Sequence, residues 1–75
     1  MQGLDREESE FTRRIRRLMR DLDMDEEEFA YAIGVSRRTM VRYMNSETLP
    51  TTDILCRIAD KFGESVDWIL GRIPM

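Results

Sequence analysis

The chain has 75 residues, 41% of them apolar and 36% charged, with a net charge of −3 from 15 acids against 12 lysines and arginines. A chain this short reads as one small domain, residues 1–75, which buries only about 60–65% of the surface its unfolded form exposes. Its single cysteine, Cys56, and its lack of histidine exclude an internal disulfide and an ordinary zinc site.

The first element is carried by Phe11, Ile15, Leu18, Met19 and Leu22. They recur at i, i+4, i+7, i+8 and i+11, one face of an amphipathic helix. Arg13, Arg14, Arg16, Arg17 and Arg20 occupy its other faces, preceded by Asp5, Glu7, Glu8 and Glu10, where negative charge complements a helix N-terminus. The pattern predicts a helix over about 6–22, with its arginines solvated and partly paired, Glu10 with Arg14 for example. Asp25 followed by Glu28 makes a capping-box pair that opens a second helix over about 26–33. Phe29, Ala30 and Ile33 are its buried stripe and Gly34 ends it, because glycine enters the left-handed region at little steric cost.

Ser36 caps a third helix, about 37–45, with Met40, Val41 and Met44 as its apolar side. Asn45-Ser46 and Leu49-Pro50 mark a loop. Thr51 or Thr52 caps a fourth helix, buried through Ile54, Leu55, Ile58, Ala59 and Phe62 and ended by Gly63. Ser65 caps a short fifth helix over 66–70, and Gly71 ends that. No strand-like alternation and no repeat occurs, so the fold class is all-α: a compact set of five helices with short connections. Cys56, beside the buried stripe of the fourth helix, reads as a structural buried thiol.

Helix, tight glycine turn, helix is the helix-turn-helix arrangement, whose second helix presents its first turn to the DNA major groove. The chain concentrates basic charge there. Arg37, Arg38 and Arg42 lie within six residues, and no acid falls between Gly34 and Glu47. Arg42 is four residues from Arg38 and five from Arg37, so all three can share an outward face opposite Met40 and Met44. Arginine grips guanine O6 and N7 with two hydrogen bonds, worth about 1–3 kcal/mol of discrimination per pair. Ser36, Thr39 and Asn45 can donate to phosphate oxygens. Read alone, an arginine triplet on a helix is a solvated face; its place on the second helix of a tight pair favours base reading.

Ordered along residues 15–71, Phe29-Ala30, Ile33-Gly34-Val35-Ser36, Arg42, Asn45, Pro50, Phe62-Gly63 and Val66-Asp67-Trp68-Ile69-Leu70-Gly71 resemble the lambda-repressor-like, or Xre/Cro, helix-turn-helix family. The resemblance implies a five-helix lambda-repressor-like fold and a transcriptional regulator, many relatives binding palindromic operators as dimers. It places Arg37, Arg38 and Arg42 where relatives read bases, and Ser36, Thr39 and Asn45 where they touch the backbone. Four positions depart from the family pattern. Glu26 stands where glutamine commonly meets a phosphate. Met19 and Met44 stand where many relatives have an arginine–glutamate pair, and the two methionines are expected to touch. Asn45-Ser46 replaces Asn-Gly, so either the turn differs or Asn45 takes the left-handed conformation. Glu64 replaces an apolar residue and is expected to face solvent.

The expected function is therefore sequence-specific binding of double-stranded DNA by a homodimeric cytoplasmic repressor of bacterial or phage type. No enzyme activity, cofactor, metal or membrane partner is implied: the commonest catalytic base is missing and the carboxylates lie in solvated runs. Glu26 and the acidic balance motivate the alternative, a protein-interaction module or antitoxin-like component with weak or no DNA binding. Val66, Trp68 and Ile69 suit either the core or a dimer contact. The sequence stops soon after the fifth helix, which leaves room for a further domain.

Overall fold

Each helix opens and closes with its own local chemistry. The computed structural model describes residues 8–74 and places five helices among them: α1 (Glu10–Leu22), α2 (Glu26–Ile33), α3 (Arg37–Met44), α4 (Thr52–Phe62) and α5 (Val66–Ile69). Ser9, Asp25, Ser36, Thr51 and Ser65 are the caps, and each side chain accepts from the amide three residues on. Those amides have no partner inside the helix, so each cap satisfies a donor that would otherwise be orphaned. The capping box of α2 is complete, with Glu28 Oε1 accepting from the Asp25 amide at 2.9 Å and Asp25 Oδ1 from the Glu28 amide at 2.8 Å.

The helix ends are equally regular. Asp23, Gly34, Ser46, Gly63 and Gly71 all have positive φ. The amide after each donates to a carbonyl five residues back: Met24 to Met19, Val35 to Ala30, Glu47 to Arg42, Glu64 to Ala59 and Arg72 to Asp67. This left-handed closure turns the chain sharply and satisfies terminal carbonyls. Thr51, not Thr52, caps α4. The first helix is shorter than its periodicity predicts, because Ser9 takes the cap; the expected start near residue 6 lies outside the described residues, and residues 8 and 9 are not helical.

One core draws on all five helices. Phe11, Ile15, Phe29, Ile33, Met40, Ile58 and Ile69 are almost wholly buried. Phe11 meets Tyr43 edge-on at 5.4 Å, and Phe29 stacks on Phe62 at 4.9 Å. Met19 and Met44 are both buried in this cluster, between helices that pack on each other. No charge is stranded at either position.

Several side chains sit differently from their sequence pattern. Val41 is exposed, and Tyr43 takes its place on the buried side of α3. Leu22, at the end of the α1 stripe, is exposed because the chain turns away at Asp23. Cys56 is exposed rather than buried; Ile58 alone of the α4 stripe is fully enclosed, its neighbours being half-buried. Glu64 is half-buried. Arg14 is the largest departure. It is only 4% exposed, 3.5 Å from Glu10 and with its guanidinium 5.0 Å from the Trp68 ring centre.

Candidate nucleic-acid interface

Only Val35 and Ser36 separate the residue that closes α2 from the first residue of α3. Gly34 makes this possible at φ 75°, and half-buried Val35 packs against the core and anchors the turn. Arg57 braces it from α4, its Nη1 donating to the Ile33 carbonyl at 2.9 Å. Met40, Tyr43 and Met44 bury one side of α3, which fixes its opposite side outward.

That outward side carries Arg38, Val41, Arg42 and Asn45, with Arg37 on its flank toward α2, all exposed. Arg37 and Arg38 sit in the first turn and make no ion pair among the described residues; Arg42, half a helix later, lies 3.7 Å from Glu47. Asn45 Nδ2 donates to the other Glu47 oxygen at 3.5 Å. Glu47 thus gathers two of the predicted contact residues around one carboxylate at the C-terminal edge of the surface. Asn45 keeps φ −91° and Ser46 takes the left-handed turn at φ 59°. The alternative in which Asn45 adopts that conformation is therefore corrected.

Ser36 and Thr39 form one unit. Ser36 Oγ accepts from the Thr39 amide at 3.1 Å and donates to Thr39 Oγ1 at 3.0 Å. The Thr39 hydroxyl proton stays available to an outside acceptor, whereas Ser36 must rotate its proton away from Thr39 to reach one.

Beside this surface an open groove of about 640 Å³ separates α2 from α3. Glu26, Glu27 and Tyr31 line one wall, Arg37 and Val41 the other. Tyr31 is 89% exposed. Glu26 and Glu27, unlike Glu28, take no part in the capping box. Among the described residues no cluster of three or more metal-ligating side chains occurs, and no helix is long and apolar enough to cross a membrane.

The sequence of the helix-turn-helix family matches residues 15–69, most of the chain and all five helices except the start of α1. The chain belongs to the lambda-repressor-like, or Xre/Cro, helix-turn-helix family. No curated protein and no solved structure matches it. Membership makes the chain a DNA-binding helix-turn-helix domain of a family that is typically regulatory. In a helix-turn-helix the second helix of the pair is the one that enters the groove; the second helix of the tight pair in this chain is α3.

Three residues at or against this helix-turn-helix have no role assigned by helical spacing and capping alone. Tyr31 lies two residues from both Phe29 and Ile33, off the buried stripe, so helical spacing alone places it outward. Glu47 follows the basic segment directly, and its charge was the available signal. Arg57 has no local signal, because its partner carbonyl is 24 residues away.

Proposed function

We propose that the protein is a sequence-specific DNA-binding repressor that acts in the cytoplasm of a bacterial or phage-infected cell, as a homodimer on a palindromic operator. Arg37, Arg38 and Arg42 read base edges in the major groove. Thr39, Ser36 and Asn45 hold the phosphate backbone. Occupancy of the operator excludes polymerase. The dimer, the palindrome and the sign of regulation are part of the proposal and rest on what is common among lambda-repressor-like relatives.

One observation carries the base-reading role of Arg37 and Arg38; Arg42, paired with Glu47, rests on its helical position alone. This acidic chain pairs most of its described arginines with carboxylates, Arg13, Arg14, Arg16, Arg17, Arg42 and Arg72 among them. Arg37 and Arg38 are exposed on the first turn of α3 and have no such partner among the described residues. A guanidinium that makes no ion pair can meet guanine without first breaking one; Arg37, unlike Arg38, shares the groove with Glu26 and Glu27.

A selection from random duplex DNA at near-physiological salt tests this reading, and an enriched palindrome is the expected result. Arg38→Ala should then lose about 1–3 kcal/mol on the selected site, roughly 5- to 150-fold in affinity, and relax preference at one base pair. Unchanged affinity would remove Arg38 from the readers.

A second reading rests on the groove. Carboxylates at Glu26 and Glu27 beside an exposed Tyr31 favour a protein-interaction module or an antitoxin-like component. No enrichment of any duplex, even at low salt, is the outcome that selects it.

A further inference from the structure

We propose that Arg57, which lies on α4 outside the helix-turn-helix, is a positioning residue for base reading. The proposal rests on α3 being the reading helix. Arg57 acts through the turn and touches no base.

Three observations converge on the last residue of α2. Arg57 Nη1 donates to the Ile33 carbonyl at 2.9 Å. The Arg57 backbone is held firmly, since its neighbour Ile58 is wholly buried and α4 packs on both α2 and α5. A Cβ on Gly34 would lie 2.6 Å from the same Nη1, so the guanidinium occupies the space that a side chain at 34 would need. The φ of 75° by itself disfavours any L side chain at Gly34; the nearby guanidinium is the far end of an exposed side chain that can shift. A cation at this point also complements the negative end of α2.

The functional consequence follows from geometry. α3 begins three residues after Gly34, and Arg37 and Arg38 lie in its first turn. A bidentate grip on guanine needs two N–H groups in place together, whereas attraction to phosphate tolerates small tilts. Loosening the α2 end should therefore degrade discrimination between sequences and spare nonspecific affinity.

The test uses the full chain and the duplex that it selects from a random pool, with a scrambled duplex as control. Arg57→Met keeps the side-chain length and loses the donors; Arg57→Lys retains one charged donor group. Affinities for both duplexes are measured at two salt concentrations, well below each variant's melting temperature. The expected result for Arg57→Met is a loss of about tenfold in the specific-to-nonspecific ratio. Nonspecific affinity should change less than about twofold, with an unaltered salt slope. Arg57→Lys should recover part of the ratio. An equal loss on both duplexes, with the slope reduced by about one, would make Arg57 a phosphate contact and overturn the proposal, and so would an unchanged ratio in folded Arg57→Met.

If Arg57→Met does not fold, two measurements carry the test. A lower ratio for Arg57→Lys and faster exchange of the Val35 amide, which bonds to Ala30 across the turn, support the brace. Wild-type values for both overturn it. Failure of the wild-type chain to select any duplex would overturn the reading of α3, and with it this proposal. A failure confined to the variants leaves that reading standing.

Discussion

Ser46 holds a left-handed backbone where the family commonly has glycine, and its hydroxyl explains how. Ser46 Oγ accepts from the Ser9 amide at 3.0 Å and donates to Thr12 Oγ1 at 3.1 Å; Thr12 Oγ1 also accepts from Ser9 Oγ and donates to the Tyr43 carbonyl at 2.6 Å. One hydroxyl therefore joins the end of α3 to the start of α1, across a position with no solvent access at Thr12. Left-handed backbone costs a non-glycine residue about 1–2 kcal/mol, and hydrogen bonds of this kind offset it. Ser46→Ala loses the bonds and keeps the strain, whereas Ser46→Gly loses both. Denaturant melts should show Ser46→Ala as the less stable of the two by about 1 kcal/mol. Thr12→Val leaves two hydroxyls without their acceptor and should cost about 1–3 kcal/mol. Equal stability of Thr12→Val and wild type would show that the network adds nothing. Tyr43 adds a pH signature. Burial raises its phenol above the ordinary value near 10, because the interior disfavours the phenolate. The unfolded chain releases that proton at lower pH than the folded one. Stability should therefore fall as pH rises past about 10, and Tyr43→Phe should flatten that fall.

The helices themselves were legible because their signals are local. Caps at Asp25, Ser36 and Ser65 act over three residues and stops at Gly34, Gly63 and Gly71 over five, so each can be read from its immediate neighbours. The candidate readers were legible for the same reason, since helical spacing opposes Arg38 and Arg42 to Met40 and Met44. What escaped was set by packing between distant elements. Arg57 meets a carbonyl on another helix, Ser46 meets α1, and Arg14 is buried only because α5 brings Trp68 over it. The buried charge of Arg14 should contribute little to stability. Its Nε and Nη1 have no hydrogen-bond partner, and Glu10, its ion-pair partner, is about half exposed. Removing the guanidinium strands no buried carboxylate, and a well-packed apolar replacement often matches or exceeds a buried ion pair. Arg14→Met should leave stability within about 1 kcal/mol of wild type even after losing the contact with Trp68. Arg14→Ala, which also empties the site between α1 and α5, should cost more, about 2 kcal/mol or above. Thermal or denaturant melts decide between the two: a loss in Arg14→Met as large as in Arg14→Ala would mean that the charge itself holds α5 in place.

At the scale of the whole molecule, charges of both signs interleave on α1 and separate at α2 and α3. Arginines cover the exposed side of α1 and the first turn of α3, while Glu26 and Glu27 face the groove between α2 and α3. In a docked helix-turn-helix the first helix of the pair crosses the DNA backbone, which brings the start of α2 toward phosphates. Two unit charges 4 Å apart repel by about 1 kcal/mol in water. The same carboxylates favour the fold, since an acid in the first turn of a helix contributes about 0.3–1 kcal/mol against the macrodipole. Folding and binding thus place opposite demands on Glu26 and Glu27, and the paired substitution Glu26→Gln with Glu27→Gln separates them. It leaves the Asp25–Glu28 capping box intact. Stability should fall by about 0.5–2 kcal/mol. Affinity for the selected duplex and for an unrelated one should rise together, by roughly tenfold at low salt, because repulsion from phosphate carries no sequence information. The gain should shrink as salt rises, since the screening length drops from about 30 Å at 0.01 M to about 8 Å at 0.15 M. Titration of both duplexes across that salt range checks each part. Unchanged affinity alongside lower stability would mean that α2 keeps its acids turned away from the backbone, and that the net charge, which these substitutions shift by two units from −3, does not set the strength of binding either.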